Sequence, residues 1–147
     1  LQISKYLSHY DEALLRRLQP SIIDRISLYA ELVFVEQNEF RFFVERPNVT
    51  PELLQKIIWK DKDLAEARMH LDVVKQLLAT ADFSSSEIVK SVIMPYAEEM
   101  GKGNVLWPLR MSLSGQEKSI DPFTICYVLG KDEVLLRLEN IITAIDS

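Results

Sequence analysis

The sequence predicts an all-α fold, and three observations carry that expectation. Glycine occurs 4 times and proline 6 times in 147 residues, too few for the many tight turns of a strand architecture. Apolar residues recur at spacings of three and four along nearly every segment, without sustained alternation. Capping residues and first-turn prolines punctuate the chain at helix-length intervals. At 147 residues and 48% hydrophobic composition, the chain has the size and apolar content of one ordinary domain. A bundle or helical cage of about seven to nine helices is expected.

The elements follow in order. Ser8, His9, Tyr10 and Asp11 form a helix start before Leu14, Leu15 and Leu18. Pro20 opens a second helix whose stripe is Ile22, Ile23, Ile26, Ala30, Val33 and Phe34. The aromatic run EFRFFVE ends before Pro47. Thr50, Pro51 and Glu52 supply a cap, a first-position proline and a first-turn acid, with Leu53, Leu54, Ile57 and Ile58 facing inward. A long helix from about Asp63 to Thr80 carries a seam of Leu64, Ala67, Leu71, Val74 and Leu78. Ser84 and Glu87 read as a capping box, with Phe83 stapled onto Ile88. That helix runs to Met100 and ends at Gly101, with Pro95 kinking or breaking it.

Charge and cysteine content narrow the function classes. The net charge is −5, whereas a free-standing nucleic-acid binder usually carries a basic excess. The single cysteine, Cys126, excludes an internal disulfide and suits a reducing, cytoplasmic setting. No apolar run reaches membrane-spanning length, so no membrane partner is expected. Leu1 replaces an initiator methionine and no signal-peptide pattern follows, so the chain reads as a fragment of something longer.

The last third holds all four glycines, at 101, 103, 115 and 130, and reads as a corner of specified turns. In PLRMSLSG, Pro108 and Gly115 bracket a two-turn helix with Leu109 and Leu113 on one face. Arg110 would then lie in the first turn, where the helix dipole disfavours a cation. The bracket recurs with Asp121 as cap, Pro122 as opener and Gly130 as terminator. A last helix starts within Lys131, Asp132 and Glu133 and turns Val134, Leu138, Ile141 and Ile145 inward. Short helices joined by tight turns expose backbone as recognition surface.

These strings carry a family resemblance. PLRMSLSG, then Asp121–Pro122, then VLGKDEVLLRLENII resembles the C-terminal anticodon-binding domain of bacterial-type glutamyl-tRNA synthetase. The helix DRISLYAEL at residues 24–32 and the EFRFF run are similar to upstream parts of that family. The likeness covers most of the chain from about residue 20 and is specific in residues 105–140.

The resemblance implies an α-helical cage that reads the anticodon loop of tRNA(Glu), with no DNA partner. The family's two base-contacting arginines fall on Arg110 and Arg25, and its middle-base segment falls on Asp121, Pro122 and Thr124. Several positions depart from the family pattern. Ser112 replaces a usual alanine and Ser114 a usual threonine. The loop from Gly115 to Pro122 is about two residues longer. Asp121 places a carboxylate where an uncharged hydroxyl is common, and Thr124 stands where an apolar contact is expected.

The resemblance also implies residues 1–104 as a first helical subdomain and residues 105–147 as a small C-terminal one, within one continuous fold. A missing N-terminal catalytic domain would use ATP and Mg, in a monomeric parent enzyme. No nucleotide-binding signature occurs in this chain, so by itself it is not expected to be an enzyme or to hold a cofactor. Two alternatives stand beside this reading: a helical protein–protein interaction module without RNA binding, and the related domain of a class I lysyl-tRNA synthetase.

Single residues carry competing readings too. Arg110 either contacts a base or pairs with a nearby carboxylate, and Arg25 either contacts a base or snorkels at the rim of the core. Trp107 either stacks on a base or wedges into the core; Trp59 reads as core. His9 and His70 lack companions at metal-ligand spacing, and Cys126 lacks a nearby histidine, so neither a metal site nor a nucleophile is expected.

Overall fold

A computed structural model describes residues 46–147 except residue 118. The two helices expected before Pro47, the EFRFF run, His9 and Arg25 lie outside the described residues. Within them the chain is all-helical, with six helices and no strand. These are α1 (Pro51–Lys56), α2 (Leu64–Ala79), α3 (Ser86–Met100), α4 (Lys102–Ser114), α5 (Pro122–Leu129) and α6 (Lys131–Asp146).

Local capping chemistry accounts for most boundaries. Thr50 caps α1 by accepting from Leu53 N (3.2 Å), and Asp63 caps α2 by accepting from Glu66 N (2.9 Å). Asp121 caps α5, which Pro122 opens and Gly130 closes. The start of α3 differs by one residue from the expected box. Ser85, not Ser84, accepts from Ile88 N (3.2 Å), because Asp82 Oδ1 already holds Ser84 N (2.8 Å) and delays the helix. Phe83 therefore stands two residues before the cap rather than one; it packs half-buried, with Lys131 Nζ 5.7 Å from its ring centre. Pro95 lies inside α3 without breaking it.

The largest correction concerns α4. It begins at Lys102, directly after Gly101 (φ +100°), and Pro108 lies in its interior rather than at its first position. An interior proline removes one helical donor at a cost of about 3 kcal/mol or more, which tertiary burial of α4 offsets. Val105, Leu109, Met111 and Leu113 are fully buried on this helix. The division between residues 104 and 105 falls within α4. Gly103 is no turn residue either: a Cβ there would lie 2.4 Å from the Trp59 ring, so glycine permits a close approach of α4 to the residues after α1.

One core joins the helices. Leu71, Val74 and Leu78 of α2 meet Ile93 of α3, Leu109 and Leu113 of α4, Ile125 of α5, and Leu138 and Ile141 of α6. Leu64 and Ile145 contribute from its margin, and Trp59 is half-buried rather than core. Helices α2 and α6 run antiparallel, as the paired register of Arg68 with Asp146 and Lys75 with Glu139 requires. His70 is buried with both ring nitrogens engaged, Nδ1 with Tyr96 Oη (2.7 Å) and Nε2 with Glu66 (3.3 Å).

Candidate functional site

The α4–α5 turn is built around Arg110. It is the ninth of the 13 residues of α4, well clear of the first turn. The expected first-turn penalty therefore disappears with the longer helix. Its guanidinium pairs with no carboxylate among the described residues. Nη1 instead donates to the carbonyl of Ser119 (2.8 Å), to Ser119 Oγ (3.0 Å) and to the carbonyl of Ile120 (3.3 Å). Nε and Nη2 have no partner among the described residues. Among the described residues, a five-donor fork thus spends one nitrogen on holding the turn.

The turn then delivers Asp121. Its Oδ1 accepts from Thr124 N (2.9 Å) and its Oδ2 from Thr124 Oγ1 (2.8 Å), so the Thr124 hydroxyl points back to the cap. Asp121 is exposed and Thr124 half-buried, while Pro122 is buried at the first position of α5 and shapes the turn from within. Arg110, Asp121, Pro122 and Thr124 are therefore gathered around one turn. Trp107 is tied elsewhere: its Nε1 donates to the carbonyl of Lys56 at the end of α1 (2.7 Å), and its ring meets Trp59 at 5.3 Å.

The end of α4 is anchored with unusual density. Gly115 takes the left-handed conformation (φ +68°) and donates to Met111 O (2.8 Å). Ser114 Oγ donates to Arg110 O (2.8 Å) and accepts from Gln116 N (3.0 Å). From α6, Arg137 reaches across to donate from Nη1 to the Leu113 carbonyl (2.7 Å). Arg137 Nε bonds Glu133 Oε2 (2.8 Å), and Arg46 forks onto the same carboxylate at 2.8 and 3.0 Å. Partial burial pushes the Glu133 carboxyl up, yet the two arginines outweigh it and hold it below the usual carboxylate range. Burial pulls the Arg137 guanidinium down, against the opposing pull of Glu133. Ser119, Glu133 and Arg137 are not among the site residues expected from the sequence; the i,i+4 spacing of the last two is their local signal of a pair.

An open cleft of about 320 Å³ lies beside this turn, between residues 46–56 and Ser114–Gln116. Arg46, Asn48, Thr50 and Lys56 supply donors to it, and Glu52 a carboxylate. Elsewhere the chemistry is thin. Cys126 is buried, and burial raises its thiol far above the ordinary range, leaving no thiolate for nucleophilic work. Among the described residues no three potential ligands gather to hold a metal ion, and no helix is long and apolar enough to cross a membrane.

The model of the anticodon binding domain family matches residues 2–142, nearly the whole chain. The chain belongs to that family. This anticodon binding domain is 34% identical over 128 residues to a glutamate–tRNA ligase of Azorhizobium caulinodans, covering 86% of this chain and 25% of the relative. A glutamate–tRNA ligase of Syntrophobacter fumaroxidans is 32% identical over 88% of the chain and 26% of its own length. That of Azobacteroides pseudotrichonymphae is 29% identical over 95% of the chain and 27% of its own length. The domain thus spans about a quarter of the length of the curated relatives it matches. No solved structure matches it.

Proposed function

We propose that this chain is the anticodon-reading region of a glutamate–tRNA ligase and that the α4–α5 turn is its base-contacting surface. The observation that carries the reading is the half-committed guanidinium of Arg110. Nη1 is fixed by the turn's own carbonyls, so the unengaged edge of the fork is aimed before any ligand arrives. Such an edge can donate two hydrogen bonds to the carbonyl and ring-nitrogen acceptors of a cytosine. Asp121 offers acceptors to base amino groups, and Pro122 and Thr124 set the shape of the turn that presents it.

Arg25 is the second arginine of this reading, and Trp107 a stacking candidate. Lys56 of the neighbouring cleft is a cation placed where loop phosphates would approach. Residues 1–104 supply the body of a helical cage and residues 105–147 its reading corner, in one continuous fold. The partner is the anticodon loop of tRNA(Glu), and the setting cytoplasmic. ATP and Mg serve the catalytic part of the ligase, a monomer, while this region supplies specificity. The names of the relatives favour this reading over a lysyl-tRNA synthetase domain and over an interaction module without RNA.

The test is aminoacylation by the full-length protein, using tRNA(Glu) transcripts with the native anticodon and with single anticodon substitutions. Arg110→Ala is expected to lower kcat/KM for the native transcript by roughly 10- to 100-fold, by analogy with the 1–3 kcal/mol of a bidentate base contact. Substituted transcripts should lose much less. An equal loss on all transcripts, or no loss, would remove Arg110 from base recognition.

A further inference from the structure

We infer that Arg137 is a positioning residue for the recognition turn. It touches no part of the surface proposed to meet RNA, and it acts through the end of α4. The inference rests on the reading of the Arg110 turn as base-contacting.

The starting point is where a charge has been buried. Arg137 is 4% exposed, and its guanidinium lies between α6 and the C-terminus of α4. Desolvating an ion pair costs several kcal/mol, and apolar residues of similar volume often serve stability as well or better. An arginine at this position is therefore poorly explained as a source of stability. Its geometry supplies the explanation. The last carbonyls of a helix have no intrahelical donor, and Arg137 provides one to Leu113, two residues before the chain leaves α4 at Gly115.

Arg137 is itself locked in place. Glu133, one turn earlier on α6, holds Nε, and Arg46 clamps Glu133 from the other side with two hydrogen bonds. Pro47, next in the chain to Arg46, abuts Gly115: its Cβ is 3.0 Å from where a Cβ of that glycine would sit. One connected set of charges therefore fixes both the last carbonyls of α4 and the residue packed against its exit. The direction in which residues 115–121 depart is set there. Arg110 grips the far end of the same turn at Ser119 and Ile120. A shift at the Leu113 end moves the carbonyls that aim the Arg110 fork.

The experiment uses the full-length protein and reads the ratio of kcat/KM for native and anticodon-substituted tRNA(Glu) transcripts, alongside melting temperature. Arg137→Gln is expected to lower that ratio on the order of tenfold, since small misplacements of an orienting group cost that much or more. Arg137→Lys should recover part of it, because an ammonium can serve the Leu113 carbonyl or Glu133 but not both in one plane. Leu138→Ala, a neighbouring core truncation, should lower the melting temperature and leave the ratio unchanged.

A ratio unaltered by Arg137→Gln, in a protein where Arg110→Ala does lower it, overturns the positioning role and leaves the base-contact reading standing. A ratio unaltered by Arg110→Ala overturns both. If Leu138→Ala lowers the ratio as far as Arg137→Gln, the effect is general loosening and the inference falls. Should Arg137→Gln fail to fold, Glu133→Gln, which frees Arg137 from its lock, carries the same expectation and the same overturning result.

Discussion

Arg110 Nη1 donates to the carbonyl of Ser119, nine residues along the chain, at 2.8 Å. One side chain of α4 thereby closes the turn that α4 begins. Hydrogen bonds from a charged donor contribute about 1.5–3 kcal/mol each when lost from a protected site. Here they hold a short segment rather than the core, so the loss should appear as local opening. Arg110→Ala is expected to speed cleavage after the exposed Glu117 by a glutamate-specific protease about tenfold or more, with little change in melting temperature. Cleavage unchanged at Glu117 would mean that the turn holds its shape without the guanidinium.

Ser112 presents the opposite case, a polar group without a partner among the described residues. Its side chain is 2% exposed and its Oγ makes no hydrogen bond to any of them. A buried unsatisfied hydroxyl costs about 1–3 kcal/mol, and alanine is the better helix former by roughly half a kcal/mol. Ser112→Ala, the residue usual in the family that this stretch resembles, should therefore stabilise the protein by about 1 kcal/mol or more. Chemical denaturation would show a higher midpoint at unchanged slope. A lower midpoint would reveal a buried water or another partner for the hydroxyl.

Gly103 sets helix propensity against packing. Inside a helix, glycine-to-alanine gains about 1 kcal/mol where the site is open. At this site the new methyl would lie 2.4 Å from the Trp59 ring, which is backed by Trp107 at 5.3 Å. Overpacking of that kind costs about 1–3 kcal/mol, so Gly103→Ala should lower the melting temperature. A rise instead would show that the half-buried Trp59 ring swings outward at little cost.

The parts of the fold legible in the sequence are those fixed by neighbours in the chain. Thr50–Pro51, Asp63 and the bracket of Asp121, Pro122 and Gly130 each place cap, opener or terminator within one turn, and each helix starts where they say. The start of α4 was illegible because Pro108 carries the same signal at a first position as in an interior held by tertiary burial. Gly103 was misread as a turn because its reason, the Trp59 ring, lies 44 positions earlier in the chain. At the site, Asp121 and Pro122 were legible as cap and opener, and the family resemblance added Thr124 to them. The bond from Arg137 to Leu113, 24 residues apart, had no local signature, and neither did the choice by Arg110 of carbonyls over a carboxylate.

Glu133 makes the end of α4 sensitive to acid. Burial raises its carboxyl, but the bonds from Arg46 and Arg137 prevail and its folded value lies below that of the unfolded chain, about 4.3. A depressed carboxyl contributes stability that is fully present above the unfolded value and is lost as pH falls through the folded one. Protonation would remove the shared acceptor of two arginines, one of them buried. Melting temperature followed from pH 6 down to about two units below the unfolded value should fall more steeply for the wild type than for Glu133→Gln. The variant starts lower at neutral pH, because the arginines have already lost their counter-charge, and the two curves should converge in acid. Asp146 and Glu139, whose hydrogen bonds from Arg68 and Lys75 also hold them low, contribute equally to both curves and cancel in the comparison. Curves that stay parallel throughout would show that Glu133 carries no pH-linked stability and that Arg137 is held by Leu113 alone.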